Sequence, residues 1–200
     1  MKNNIILPLL AAAAIPLIGA GCAGTGAHYV QTGDQHNIVS LGQINIQDYI
    51  QAANDMTGKL LASGALDKVA TPPAVLAISR IVNNTGQQID TDLLTKKIRV
   101  AVLDSGKALT TTTMGLGGTA EDPMAKSLQQ ENEFKNDTKA TRTPDFTLSG
   151  KIIELSARVS NTRQSTYSFQ LSLTDAKTGL AVWEGEKEIT KQGARSSVGF

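Results

Sequence analysis

Histidine and cysteine are nearly missing from this chain. Of 200 residues, two are histidine and one is cysteine. His28, His36 and Cys22 all lie near the start. A lone cysteine excludes an intramolecular disulfide and a multi-cysteine metal site. Beyond His36 the chain has neither residue type, so the usual general bases and thiol nucleophile pairs are missing there. Aromatics are scarce at 4%, with a single Trp. The formal charge is +1, without the basic excess of a nucleic-acid surface. Carboxylates remain, but they fall on helix ends, turns and the polar run Glu184-Gly185-Glu186-Lys187-Glu188. Those are solvated positions and not a convergent acid pair. The chain is therefore expected to be non-enzymatic, with no cofactor, no metal, no nucleic acid and no small-molecule substrate.

The one long apolar run sits at the front. Lys2 gives a short positive region, and Ile5 to Ile18 is apolar but broken by Pro8 and Pro16. Gly19-Ala20-Gly21 then lead into Cys22. This is the pattern of a secretory signal over 1–21, too short and broken for a membrane span. Small residues before a lone cysteine resemble the lipobox of bacterial lipoproteins, although Leu17 lies further from Cys22 than that motif places it. The resemblance implies that Cys22 becomes the mature first residue and carries acyl chains, which together hold a protein stably at a membrane. A plain signal with an incidental cysteine is the alternative. Ala23, where an Asp would retain enteric lipoproteins at the inner membrane, implies the outer membrane, facing the periplasm.

Residues 22–44 are polar, with little periodicity, and are expected to form a flexible tether. About twenty residues reach at most about 70 Å extended and about 25 Å as a coil. His28 and His36 are expected to be solvated there, not to bind metal.

From Asn45 the pattern turns helical. Tyr49, Ala53, Met56 and Leu60 share one face, Asn45 can cap, Asp48 suits the first turn, and Gly64 ends the helix. Ala74 to Val82 is short, apolar and β-branched, as a buried central strand is. Asp90-Thr91-Asp92 opens a second helix, with Leu94, Ile98, Ala101 and Val102 inward; Gly106 closes it and Lys107 sits by its negative end. A Thr-rich strand over 108–113 completes a βαβ unit. Gly115-Leu116-Gly117-Gly118 lacks the Lys and spacing of a phosphate loop. A third, polar helix follows over 121–139.

Phe146 to Arg158 forms a long strand. Phe146, Leu148 and Ile152 alternate, then Ile153, Leu155 and Ala157 take the opposite parity, which suggests a bulge near Gly150. After a turn at 161–163, Tyr167, Phe169, Leu171 and Leu173 alternate with polar residues and put one apolar face on a strand. Asp175 to Gly179 is a turn. Lys177-Thr178-Gly179 matches one motif of penicillin-binding proteins and β-lactamases, but no partner motif accompanies it. The return strand carries Trp183. The globular domain spans 45–192, the last strand ends near Ile189, and 193–200 is expected to fray. The fold class is α/β (α+β): a mixed sheet of about four to five strands, with helices mainly on one face.

Four segments together resemble the LpoB family. They are Val75-Leu76-Ala77-Ile78-Ser79-Arg80-Ile81-Val82-Asn83-Asn84-Thr85, the helix with Lys96-Lys97-Ile98-Arg99, Pro144-Asp145-Phe146-Thr147-Leu148-Ser149-Gly150-Lys151, and Gly179-Leu180-Ala181-Val182-Trp183-Glu184-Gly185-Glu186. The resemblance covers about 70–192. It implies a fold similar to the TolB N-terminal domain. It also implies an outer-membrane lipoprotein that binds an accessory domain of a bifunctional penicillin-binding protein and activates peptidoglycan synthesis. An assembly lipoprotein of a secretion or surface-appendage complex is the other reading. Unlike the long Pro-rich tethers of well-known members, this one is short and Pro-free. Arg158, Arg163, Gln164 and Gln170, on or beside the polar face of the strand 166–174, are the expected partner-binding residues.

Overall fold

The computed structural model describes residues 29, 31–32, 39–113, 121–135 and 142–194. The order of elements is α1 (Ile46–Ala62), β1 (Ala74–Asn84), α2 (Asp92–Asp104), β2 (Ala108–Thr110), α3 (Pro123–Phe134), β3 (Phe146–Val159), β4 (Thr162–Asp175) and β5 (Ala181–Ala194). The five strands form one mixed sheet, ordered β2-β1-β3-β4-β5. β1 runs parallel to both β2 and β3, as a βαβ unit requires, and β3, β4 and β5 form an antiparallel meander. The mixed α/β class expected from the sequence is the class observed.

α1 and α2 pack on each other and on one face of the sheet. Their inner residues Tyr49, Met56, Leu60, Leu94, Ile98 and Val102 meet Leu76, Ile78, Phe146, Leu148, Ile152, Tyr167, Phe169, Leu171 and Leu173 in one core. The four alternating apolar residues of β4 are all at most 2% exposed, so period two assigned them correctly. α3 buries none of its residues.

The helix ends follow local chemistry. Asn45 and Asp48 form a reciprocal capping box at α1. At α2, the Asp90 carboxylate accepts from the Asp92 amide at 2.8 Å. Gly106 adopts a left-handed φ of 68° after α2. Lys107 does not serve that helix; its Nζ reaches the Leu61 carbonyl at the end of α1 (3.3 Å) and Asp67 (3.0 Å). Asp175 accepts from the amides of Lys177 and Thr178, and Gly179 has φ 71°. The Lys-Thr-Gly triplet is therefore turn chemistry.

Several boundaries differ from expectation. β5 runs to Ala194, because its last residues pair with the start of β4 (Ala194 opposite Thr162). The turn between β3 and β4 is shorter, with Ser160 at φ 53°. β2 stops at Thr110 and α3 at Phe134; residues 114–120, with the glycine-rich stretch, and 136–141 lie outside the described residues.

The expected bulge in β3 is displaced to its neighbour. β3 pairs with β4 through fourteen unbroken positions. The irregularity is in β1, where Ile78 to Ile81 spans what Leu148 to Gly150 covers in β3. Alternation in β3 thus continues unchanged, and Leu155 is 62% exposed and Val159 77%. Their parity is that of the face away from the helices.

The folded body also begins before Asn45. Lys191 of β5 donates to the carbonyls of Ser40 (3.4 Å) and Gln43 (2.8 Å), and the Ile44 amide donates to Gln87 Oε1 (3.0 Å).

Candidate partner-docking surface

α1 and α2 cover one face of the sheet, which leaves the other without a helix layer among the described contacts. The pairing register defines this open face. It carries Ser149, Lys151, Ile153, Leu155, Ala157 and Val159 from β3, and Gln164, Thr166, Ser168, Gln170 and Ser172 from β4. β5 adds Glu184, Glu186 and Glu188 opposite Ser172, Gln170 and Ser168. β1 adds Val82, opposite Lys151, and Arg80, which lies within the bulge and lines the same groove.

Charge is laid out in bands. Three carboxylates line β5 at the edge, hydroxyls and amides fill β4, and Lys151 and Arg80 stand on the opposite side. The bands are cross-linked by side chains. Ser168 Oγ donates to Glu186 Oε1 at 2.5 Å, Gln170 Nε2 donates to the same oxygen at 2.8 Å, and Ser172 Oγ donates to Glu184 at 3.3 Å. These bonds, that of Ser168 first, hold the Glu186 carboxyl below its ordinary pKa. Glu186 therefore presents a fixed negative charge at neutral pH. A shallow groove of about 740 Å³ runs between the bands, lined by Arg80, Lys151, Gln170, Ser172, Glu184 and Glu186 among others. An open polar groove of this kind suits a protein surface better than a small molecule, whose sites are mostly apolar and enclosed.

The expected site residues divide between the faces. Gln164 and Gln170 lie on the open face, Gln164 exposed and Gln170 half-buried. Arg158 and Arg163 stand opposite each other at the hairpin end and share the parity of Tyr167, on the helix side. There the Arg163 guanidinium lies close to Gly42. They are at the margin of the open face, not within it. Cys22, His28 and His36 lie outside the described residues.

Lys151, Arg80, Glu184 and Glu186 were not singled out from the sequence. For Lys151 the signal was present, since it shares parity with Ser149 and pairs with Gln170. For Arg80 it was not, because it lies within the bulge of β1, between Ile78 and Ile81, where parity is interrupted.

A family model described as peptidoglycan-synthase activator LpoB matches residues 48–189. No curated protein matches the sequence. Among solved structures, the LpoB C-terminal domain from Salmonella enterica is 19% identical and covers 71% of this chain and 98% of its own, with a TM-score of 0.43. The corresponding Escherichia coli domain is 15% identical with the same coverage and a TM-score of 0.42. Lipoprotein GNA1162 from Neisseria meningitidis is 14% identical and covers 60% of this chain and 85% of its own, with a TM-score of 0.38.

Proposed function

The chain belongs to the LpoB family of peptidoglycan-synthase activators, and from that premise we propose that it binds a bifunctional peptidoglycan synthase and raises its activity without catalysing a reaction itself. The observation that carries the docking part is the open face: a broad sheet surface, banded in charge, left bare by both packed helices. Complementary banding in a partner would fix register and speed encounter more than it would add raw affinity. Gln170 stands at its centre and Gln164 toward the hairpin end, with Arg158 and Arg163 at the rim.

In this reading Cys22 is acylated and holds the protein at the outer membrane, facing the periplasm. The penicillin-binding protein's accessory domain is the partner, and the chain acts by contact alone. Missing histidine and cysteine beyond His36 agrees with a role that needs no nucleophile or general base.

The direct test is capture of the organism's own bifunctional synthase by the full lipoprotein in detergent. Wild type is expected to retain it. Gln170→Glu, which sets a further carboxylate beside Glu186, and Arg163→Glu are expected to weaken retention. Undiminished capture by both variants would remove the open face and its rim as the docking surface. Failure of wild type to capture any such synthase would remove the proposed partner.

A further inference from the structure

β3, β4 and β5 each run for fourteen residues, whereas β1 has eleven and β2 three. The last pair between β1 and β3 is Asn84 with Ile153. From Glu154 to Val159 the outer edge of β3 has no strand beside it among the described residues. The long hairpin projects past the rest of the sheet as an arm with one unpaired edge.

Natural sheets blunt free edges with charge. β5, the other long edge, follows that rule with Glu184, Glu186, Lys187 and Glu188. On the free stretch of β3 charge is confined to the helix side, at Glu154 and Arg158. Its open-face side chains are Leu155, Ala157 and Val159, all exposed. Its helix-side positions are Glu154, Ser156 and Arg158. Among the described residues Glu154 meets only neutral groups: the Gly86 amide, the Gln87 amide, Tyr167 OH and Ser156 Oγ, at 3.2–3.5 Å. Arg158 makes no ion pair among the described residues.

We infer that the free edge of β3 pairs antiparallel with the same edge of a second copy of this chain. The segment is complementary to itself. With Ala157 of each copy on a two-fold axis, Leu155 of one copy lies opposite Val159 of the other, and the apolar stripes join. On the other side Arg158 lies diagonal to Glu154 of the second copy, within reach of long side chains. The two charges, neither in an ion pair among the described residues, thus meet twice, once on each side of the axis, as an isologous interface requires. Pairing centred on Ser156 would bring Val159 of the second copy against Ile153, a position that Asn84 already fills. Pairing centred on Arg158 would set the two guanidinium groups directly opposite each other, so steric fit and charge together select the register centred on Ala157. A strand edge this short falls at or below the roughly 1,200 Å² lower bound of standard interfaces, so the dimer is concentration-dependent.

The test uses the full chain in detergent. Residues directly opposed in an antiparallel pair have Cα atoms about 4.5–5.5 Å apart, within disulfide range. Under mild oxidation, Ala157→Cys is expected to give a covalent dimer, whereas Ala176→Cys, in the turn at the other end of the hairpin, gives none. By sedimentation, Leu155→Lys and Arg158→Glu are each expected to weaken association at least about tenfold, with circular dichroism unchanged. The charge-swapped pair Glu154→Arg with Arg158→Glu is expected to recover it. Equal cross-linking at 157 and 176, none at 157, or wild-type sedimentation for Leu155→Lys would overturn the inference. Synthase capture is a separate readout, so failure here leaves the proposed partner standing.

Discussion

Lys191, near the end of β5, and Asp48, in the first turn of α1, form a buried ion pair at 2.5 Å, each side chain 8% exposed. Asp48 Oδ2 also accepts from the Asn45 amide at 2.7 Å, and Lys191 Nζ lies 5.8 Å from the Tyr167 ring centroid. With its bonds to Ser40 and Gln43, this ammonium ties together the helix start, the sheet edge and the chain entering the fold. Removing one partner strands the other in a dry site, at a cost of about 3–5 kcal/mol. Lys191→Met is expected to lower the urea midpoint by that measure and expose residues 39–44 to proteolysis. The double variant with Asp48→Asn is expected to lose less than the sum of the two singles. Additive losses would mean the pair is not coupled.

Trp183 and Gly185 are two apart on β5 and share the helix side, with the indole lying over the glycine. A Cβ at Gly185 would be 2.6 Å from Cζ2 of Trp183 and closer still to Cη2. Gly185→Ala must therefore move the ring, at roughly 1–3 kcal/mol. Because Trp183 is the only tryptophan, its emission reports the displacement as a red shift. At Gly150 the obstacle is backbone: a Cβ would lie 2.5 Å from the Gln170 carbonyl oxygen. A carbonyl held in a ladder cannot swing aside as an indole can. Gly150→Ala is expected to cost more than Gly185→Ala in the same urea titration.

Tyr49 packs edge-on to Phe169, ring centroids 6.1 Å apart, and its hydroxyl is buried with no partner among the described residues. Burial, reinforced by Asp90 and Asp48, pushes its pKa up from 10.0 to about 12. Ionisation of this phenol is therefore disfavoured in the fold. The unfolded chain ionises from pH 10, so this contribution is intact below that and falls between pH 10 and 12. Tyr49→Phe is expected to flatten that decline. At neutral pH it is expected to be neutral or stabilising by up to about 1 kcal/mol, since it removes an unsatisfied hydroxyl. Urea midpoints at pH 8 and pH 11 read both effects.

Glu186 acts with the opposite sign. Its pKa is lowered in the fold, so its contribution is present above the unfolded carboxylate pKa and is lost as pH falls through the folded value. Ser168→Ala removes the first cause of the lowering. It is expected to raise the Glu186 pKa toward its ordinary value in a carbon-detected NMR titration.

What the sequence disclosed was local. Alternation from Tyr167 to Leu173 named the buried face of β4, and Asp175 with Gly179 named its turn, because the backbone enforces both within a few residues. What it concealed depends on pairing between distant strands. Ile153, Leu155 and Ala157 look like core residues by composition. Yet period two says only which residues share a face, and not which face is covered. The bulge in β1 could not be placed without the register against β3. Nothing local marks Lys191 as buried, because its partner, Asp48, is 143 residues away. Arg158 and Arg163 were expected on or beside the face of the glutamines; Arg163 is an odd number of residues from Gln164 and Gln170, and Arg158 lies directly opposite Arg163, so both sit on the other side, at its margin.

The most direct measurement is the rate at which the organism's own bifunctional synthase polymerises lipid II, with and without the full lipoprotein. Wild type is expected to give a faster rate, Gln170→Glu a smaller gain, and the lipoprotein alone no turnover. An unchanged rate with wild type, or turnover of lipid II by the lipoprotein by itself, would contradict activation by contact alone.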